Sequence, residues 1–131
     1  MDILLADDHR PTREAMAELI EKQPDLRLVG QATGGREAVD QAERLRPGVI
    51  IMDLAMPGMN GIEATRILRA HRADLRILVL SNHTGGRLVR ALRQAGATGY
   101  VRKDQAYEEL IPAIRAVAEG RVYLGKGVEV A

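Results

Sequence analysis

The sequence predicts an α/β domain whose five-stranded parallel sheet is doubly wound, with helices on both faces. Short apolar segments alternate five times with longer amphipathic segments, and strands that are joined by helical crossovers form parallel sheets. The third apolar segment, residues 49–52, is apolar at every position, which is typical of a central strand buried on both faces. The length of 131 residues is that of one domain.

Each element follows from the spacing of its apolar residues. The strands are short apolar runs bounded by polar or turn-forming residues, and we expect them at 3–6, 26–32, 49–52, 77–80 and 100–101. The helices carry apolar residues three or four positions apart, and we expect them at 11–22, 35–46, 62–71, 87–95 and 107–119. In the last helix, Leu110, Ile114 and Val117 share one face.

The composition excludes several classes of function. Apolar residues make up 46% and charged residues 28% of the chain, and no apolar run reaches the roughly 18 residues of a membrane span, so we expect a soluble protein without a membrane partner. The absence of cysteine excludes disulfides and thiolate chemistry. With no basic, cleavable leader, this favours a cytoplasmic protein. A net charge of +1 and only three aromatic residues argue against nucleic-acid binding by these residues.

Polar residues of related chemistry follow four of the five strands. They are Asp7 and Asp8 after the first, Asp53 after the third, Ser81 after the fourth and Lys103 after the fifth. Because ligands bind at the carboxyl ends of parallel strands, we expect these side chains to converge. Converging carboxylates repel one another unless a cation lies between them, and an all-oxygen ligand set suits Mg²⁺ or Mn²⁺ better than zinc. A carboxylate in such a site can attack a phosphoryl group.

Three segments resemble the receiver domain of two-component response regulators. They are residues 4–9 (LLADDH), 51–61 (IMDLAMPGMNG) and 95–104 (AGATGYVRKD). The sequence looks most similar to the NarL/FixJ branch, whose regulators usually end in a LuxR-type helix-turn-helix domain. The resemblance implies a flavodoxin-like (βα)5 fold with strand order 2-1-3-4-5. It also implies a receiver domain at 1–120 and, at 121–131, a C-terminal tail or the start of a linker to a missing output domain.

The same resemblance implies roles for the residues at the sheet edge. Asp53 would be the phospho-acceptor and Lys103 the cation beside it. Asp8, Asp53 and the backbone carbonyl of Ala55 would bind Mg²⁺ or Mn²⁺ directly, and Asp7 would bind it through water. The implied partner is a sensor histidine kinase. The other expected partners are a second copy of the chain, in a homodimer formed on phosphorylation, and DNA, bound only through an output domain that these residues do not contain.

A two-state switch is also implied. The phosphoryl group on Asp53 would draw Ser81 inward, and Tyr100 would rotate into the vacated space. Asn82 stands where many relatives have a very small residue, so we expect an altered dephosphorylation rate. Asp104 replaces the usual proline after the lysine, so we expect a trans peptide bond there, unless the family's geometry persists as a strained cis bond costing about 3 kcal/mol or more.

Three alternative functions share features with this one. A phosphatase of the haloacid dehalogenase type also uses an aspartyl phosphate, but it needs an aspartate two residues after the nucleophile, where this chain has Ala55. A flavin-binding module needs a phosphate loop after the first strand, where Asp7 and Asp8 would repel phosphate. A degenerate receiver would act only as an interaction module. We expect no enzyme activity beyond the self-catalysed transfer of phosphate to Asp53 and its loss.

Overall fold

The computed structural model describes residues 1–83 and 85–129, in which strands and helices alternate. The strands are β1 (Asp2–Ala6), β2 (Arg27–Ala32), β3 (Val49–Asp53), β4 (Arg76–Ser81), β5 (Gly99–Arg102) and β6 (Tyr123–Leu124). The helices are α1 (Arg10–Glu21), α2 (Gly35–Leu45), α3 (Gly61–His71), α4 (Gly86–Ala95) and α5 (Ala106–Ala118). A single 3₁₀ turn (Lys103–Gln105) precedes α5. Each of the ten predicted elements is present, with its ends within one residue of the predicted positions.

The strands form one sheet in the order β2-β1-β3-β4-β5-β6, and every neighbouring pair is parallel. The predicted order 2-1-3-4-5 is confirmed. The sixth strand is an addition to the predicted five, and it pairs Tyr123 with Gly99 and Leu124 with Tyr100. It lies among the residues that the sequence assigned to a tail or linker. Two residues are too few to show an alternating pattern, so periodicity could not predict this strand.

Two apolar cores hold the layers together, one on each face of the sheet. Helices α2, α3 and α4 cover one face, and we call the cluster beneath them the front core; helices α1 and α5 cover the other face, and we call that cluster the back core. Alternate residues of each strand contribute to the two cores because successive side chains of a strand point to opposite faces. In β3, Ile50 and Met52 join the front core while Val49 and Ile51 join the back core. This explains why the segment is apolar throughout.

The turn after β3 is fixed by a helix cap. The side-chain oxygen of Asn60 accepts hydrogen bonds from the backbone N–H groups of Ile62 (2.8 Å) and Glu63 (3.4 Å), which satisfies two of the donors that a helix start leaves open. Gly58 has a φ of +91°, a conformation that favours glycine. The cap and the glycine turn fix the path of the chain from the carboxyl end of β3 into α3.

Within residues 1–83 and 85–129, the chain has no helix that combines the length and the apolar character needed to cross a membrane.

Candidate functional site

Three carboxylates meet at the carboxyl ends of β1 and β3. Asp53 is the last residue of β3, and Asp7 and Asp8 follow β1, which pairs with β3. One carboxylate oxygen from each of the three lies within 4.8 Å of the others. Asp7 and Asp53 are buried, whereas Asp8 is exposed at the rim. The predicted convergence of these carboxylates is confirmed.

Lys103 is the cation of the cluster. Its Nζ donates a hydrogen bond to Oδ2 of Asp53 at 2.8 Å and lies 3.7 Å from Oδ2 of Asp7. Burial by itself would lower the pKa of the Lys103 ammonium, but the hydrogen bond to Asp53 and the charges of Asp53, Asp7 and Asp8 outweigh burial, and the pKa is raised. Lys103 therefore stays positively charged at neutral pH.

Asp7 has an oxygen that protein groups leave unsatisfied. Oδ1 accepts a hydrogen bond from the backbone N–H of His9 at 2.8 Å, but the buried Oδ2 has no hydrogen-bond partner among the described residues. Burial, with a further contribution from the charge of Asp53, raises the pKa of the Asp7 carboxyl. A buried carboxylate oxygen without a donor, beside two further carboxylates, fits a divalent metal ion that prefers oxygen ligands.

Both oxygens of Asp53 are held in place. Oδ1 accepts a hydrogen bond from the backbone N–H of Ala55 at 3.0 Å, and Oδ2 accepts the bond from Lys103. Ala55 itself is exposed, whereas Asp53 is buried. That the carbonyl of Ala55 binds metal stays a prediction.

Ser81 and Tyr100 meet at the backbone of His83. Ser81 ends β4, and its Oγ accepts a hydrogen bond from the His83 N–H at 2.9 Å. The Tyr100 hydroxyl donates to the His83 carbonyl. The Tyr100 side chain is only 2% exposed, and burial raises the pKa of its hydroxyl. The aromatic side chain that the sequence assigned to the switch therefore already points inward.

His83 was not predicted as a site residue, because it contributes backbone atoms and a backbone hydrogen bond leaves no signal in the sequence. Asn82, which lies between Ser81 and His83, is exposed, and its effect on dephosphorylation stays a prediction. The peptide bond between Lys103 and Asp104 is trans, since no described bond is cis. This decides between the two geometries that the sequence left open.

Comparison with known proteins agrees with this geometry. The family described as the response regulator receiver domain matches residues 3–115. The response regulator UvrY of Escherichia coli K12 is 36% identical over 128 residues, which cover 98% of this chain and 59% of UvrY. The nitrate/nitrite response regulator NarL of the same strain is 41% identical over 128 residues, which cover 96% of this chain and 58% of NarL. The chain thus spans less than two thirds of the length of these relatives.

A solved structure extends the likeness to three dimensions. The two-component response regulator of the LuxR family from Aurantimonas sp. SI85-9A1 superimposes with a TM-score of 0.88 at 38% identity, covering 93% of this chain and 87% of that one. These matches support the receiver over the phosphatase alternative. The sheet order, the cluster of three aspartates and one lysine, and the matched sequences together show that the chain belongs to the family of response regulator receiver domains.

Proposed function

We propose that this chain is the phospho-accepting receiver of a two-component system, in which a sensor histidine kinase phosphorylates Asp53 and the phosphorylated form controls a longer, DNA-binding transcription regulator. The observation that carries the proposal is the setting of Asp53, which lies between the Ala55 N–H and the Lys103 ammonium and next to Asp7 and Asp8. In this proposal residues 1–120 are the receiver domain and 121–131 lead towards the output domain. A homodimer formed on phosphorylation belongs to the same proposal.

The transfer itself needs little more than position and charge. An Asp53 oxygen attacks the phosphorus of the donor phosphohistidine; a P–O bond to Asp53 forms, the donor P–N bond breaks, and the imidazole leaves with the electron pair. Lys103 offsets the negative charge on the phosphoryl oxygens in the transition state, and the Ser81 hydroxyl donates a hydrogen bond to one of them. Because Asp53 is buried, these interactions are stronger there than in water.

The metal site belongs to the same proposal. Asp8, Asp53 and the Ala55 carbonyl would bind Mg²⁺ or Mn²⁺ directly and Asp7 through water, and the unpartnered Oδ2 of Asp7 supports this assignment. When bound, the ion would neutralise negative charge around the transferring phosphoryl group. The protein's own contribution is to fix the carboxylates on adjacent strands before the ion arrives.

A groove beside Lys103 provides a place for the phosphoryl donor. It lies between α1 and the start of α5 and is lined mainly by apolar side chains, among them Pro11, Ala15, Leu19 and Ala106. Tyr107 lines the same groove and is 72% exposed. An apolar groove that opens next to Asp53 and its lysine suits an amphipathic helix that carries the phosphohistidine.

The decisive experiment is intact mass spectrometry after incubation with acetyl phosphate and Mg²⁺. We expect one phosphoryl adduct on the wild-type chain, and none on the Asp53→Asn variant or after chelation of the metal. Fluoroberyllate binding, measured by isothermal titration calorimetry, tests the site when hydrolysis of the adduct is fast. If the wild-type chain neither forms an adduct nor binds fluoroberyllate saturably, the proposal is overturned. That result would favour an interaction module that is not phosphorylated.

A further inference from the structure

The last described residues of the chain fold back onto the switch face. We call residues 123–129 the C-terminal strap. The N–H of Tyr123 donates to the Thr98 carbonyl, and the N–H of Gly125 donates to the Tyr100 carbonyl, both at 2.9 Å. The strap thus occupies the edge of β5 that would otherwise be open, and it bonds directly to the backbone of Tyr100.

Glu109 of α5 anchors the first part of the strap. Its carboxylate accepts hydrogen bonds from the Tyr123 hydroxyl at 2.6 Å and from the Lys126 N–H at 2.9 Å. Gly125 is buried between them, where a Cβ would lie 3.0 Å from the Glu109 carboxylate and 3.2 Å from the Tyr100 carbonyl. A side chain at this position would require the Glu109 carboxylate or the strap to shift by a few tenths of an ångström, so glycine allows the closest approach.

Glu129 anchors the other end of the strap to α4. Its Oε2 accepts a hydrogen bond from the Gly86 N–H, the first residue of that helix, at 2.8 Å. The N-cap of α4 is Gly85, which has no side chain to accept such a bond, and the first turn of α4 contains no acidic residue. A carboxylate at this position satisfies an open N–H donor and interacts favourably with the helix dipole. The strap therefore supplies the cap that α4 itself lacks.

The two anchors lie on either side of the switch residues. The Tyr100 hydroxyl bonds the His83 carbonyl, three residues before the Gly86 that Glu129 caps. Leu124 and Val128 of the strap pack against the front core, which contains Tyr100. With the strap closed, three sets of contacts hold Tyr100 in its inward position. They are the hydrogen bond from the strap to its backbone carbonyl, the apolar side chains around its ring, and the hydrogen bond from its hydroxyl to His83.

We propose that closure of the strap and the inward position of Tyr100 are one two-state element, so that phosphorylation of Asp53 tightens the strap and strap closure in turn favours the phosphorylated site. This rests on the proposed function, since it requires Asp53 to accept phosphate and to bias Tyr100 inward. The coupling is reciprocal by thermodynamic necessity. The strap would thereby pass the state of Asp53 to whatever follows residue 129.

Hydrogen exchange tests the forward direction. Exchange of peptides covering 121–129 and 86–92 would be measured by mass spectrometry on the wild-type chain with and without acetyl phosphate and Mg²⁺, with the adduct quantified in the same samples. We expect the strap amides to exchange several-fold more slowly in the adduct. Unchanged exchange at full occupancy of the adduct would overturn the strap inference and leave the proposed function standing.

Substitutions test the reverse direction. We expect Glu129→Ala to weaken the binding of fluoroberyllate in Mg²⁺ by about two- to fivefold, the range expected for a carboxylate at a helix end. Glu109→Ala, which removes the hydrogen bonds to Tyr123 and Lys126, should weaken it in the same direction. Glu108→Ala is the matched control, because Glu108 is the exposed neighbour of Glu109 on α5. Equal affinities in all four proteins would overturn the inference. If the wild-type chain neither forms an adduct nor binds fluoroberyllate, the proposed function fails and the strap inference fails with it.

Discussion

The Lys103 ammonium lies 2.8 Å from Oδ2 of Asp53, fifty positions earlier in the chain. Only the parallel sheet brings these two residues together, since Asp53 ends β3 and Lys103 follows β5, with β4 between them. The same ammonium is 3.7 Å from Oδ2 of Asp7, so one cation forms ion pairs with two buried carboxylates. This arrangement leaves excess negative charge in the site, and the first two predictions follow from it.

Replacing Lys103 by methionine should slow phosphorylation more than it disturbs the fold. The variant keeps the length and apolar stem of the side chain but removes the charge that offsets the phosphoryl oxygens, an effect of about 10²-fold on the rate. The initial rate of adduct formation with acetyl phosphate measures it. Lys22→Met, at an exposed position after α1, is the control and should react at the wild-type rate. If Lys103→Met also reacts at the wild-type rate, Lys103 does not offset the charge of the phosphoryl oxygens.

Asp7→Asn should stabilise the metal-free protein. Asparagine keeps an oxygen for the His9 N–H bond, while the change removes a carboxylate charge that is disfavoured by burial and by the neighbouring charge of Asp53, which together raise the pKa of Asp7. We expect the free energy of unfolding in chelator to rise by about 1 kcal/mol, which is within the usual range for a single stabilising substitution. Urea denaturation with and without Mg²⁺ measures this effect.

We expect Mg²⁺ to stabilise the wild type by about 2.7 kcal/mol at a hundredfold excess over Kd, and we expect the same variant to lose this stabilisation. Sodium chloride at matched ionic strength controls for screening. A wild-type melting temperature that does not respond to Mg²⁺ would argue against a metal site at these carboxylates.

Tyr100→Phe should separate the packing of the switch residue from its hydrogen bond. Phenylalanine fills the same buried space but leaves the His83 carbonyl without its donor, which costs about 1 kcal/mol. Adduct formation should persist, because the hydroxyl does not contact Asp53. Tyr100→Ala, which opens a cavity as well, should cost about 3 to 5 kcal/mol. Urea denaturation distinguishes the two variants, and similar losses for both would mean that the hydroxyl dominates.

The sequence predicted the elements and the acceptor cluster because both depend on patterns along the chain. The charged residues of the predicted site each follow an apolar segment that forms a strand. The order of the strands in the sheet therefore suffices to bring Asp7, Asp53 and Lys103 together. The strap and the role of His83 depend instead on backbone hydrogen bonds and on a strand of two residues. Such features depend on where neighbouring elements end in space, and no residue spacing encodes that.

Alkaline pH should weaken the contact between Tyr123 and Glu109. Burial, reinforced by the hydrogen bond to Glu109, raises the pKa of Tyr123 to about 12, above the value of about 10 in the unfolded chain. The contribution to stability is therefore fully present below pH 10 and is lost as the pH rises towards 12. The stability difference between the wild type and Tyr123→Phe should shrink over this window in urea denaturation. A difference that stays constant from pH 9 to 11.5 would show that the hydroxyl is not held by Glu109.

The groove between α1 and α5 predicts a difference between two phosphoryl donors. Tyr107→Ala removes the most exposed ring that lines the groove, and exposed aromatic side chains at the centre of an interface typically contribute 1 kcal/mol or more to binding. Transfer from a cognate phosphorylated kinase should therefore slow by about fivefold or more at subsaturating receiver. Phosphorylation by acetyl phosphate should not change, because a small donor makes no use of the groove.

Val122→Ala, at an apolar position that is 52% exposed outside the groove, should leave both rates unchanged. If Tyr107→Ala slows phosphorylation equally with both donors, the residue acts at the acceptor site itself. If Tyr107→Ala accepts phosphate from the kinase as fast as the wild type does, the kinase binds another face of the domain.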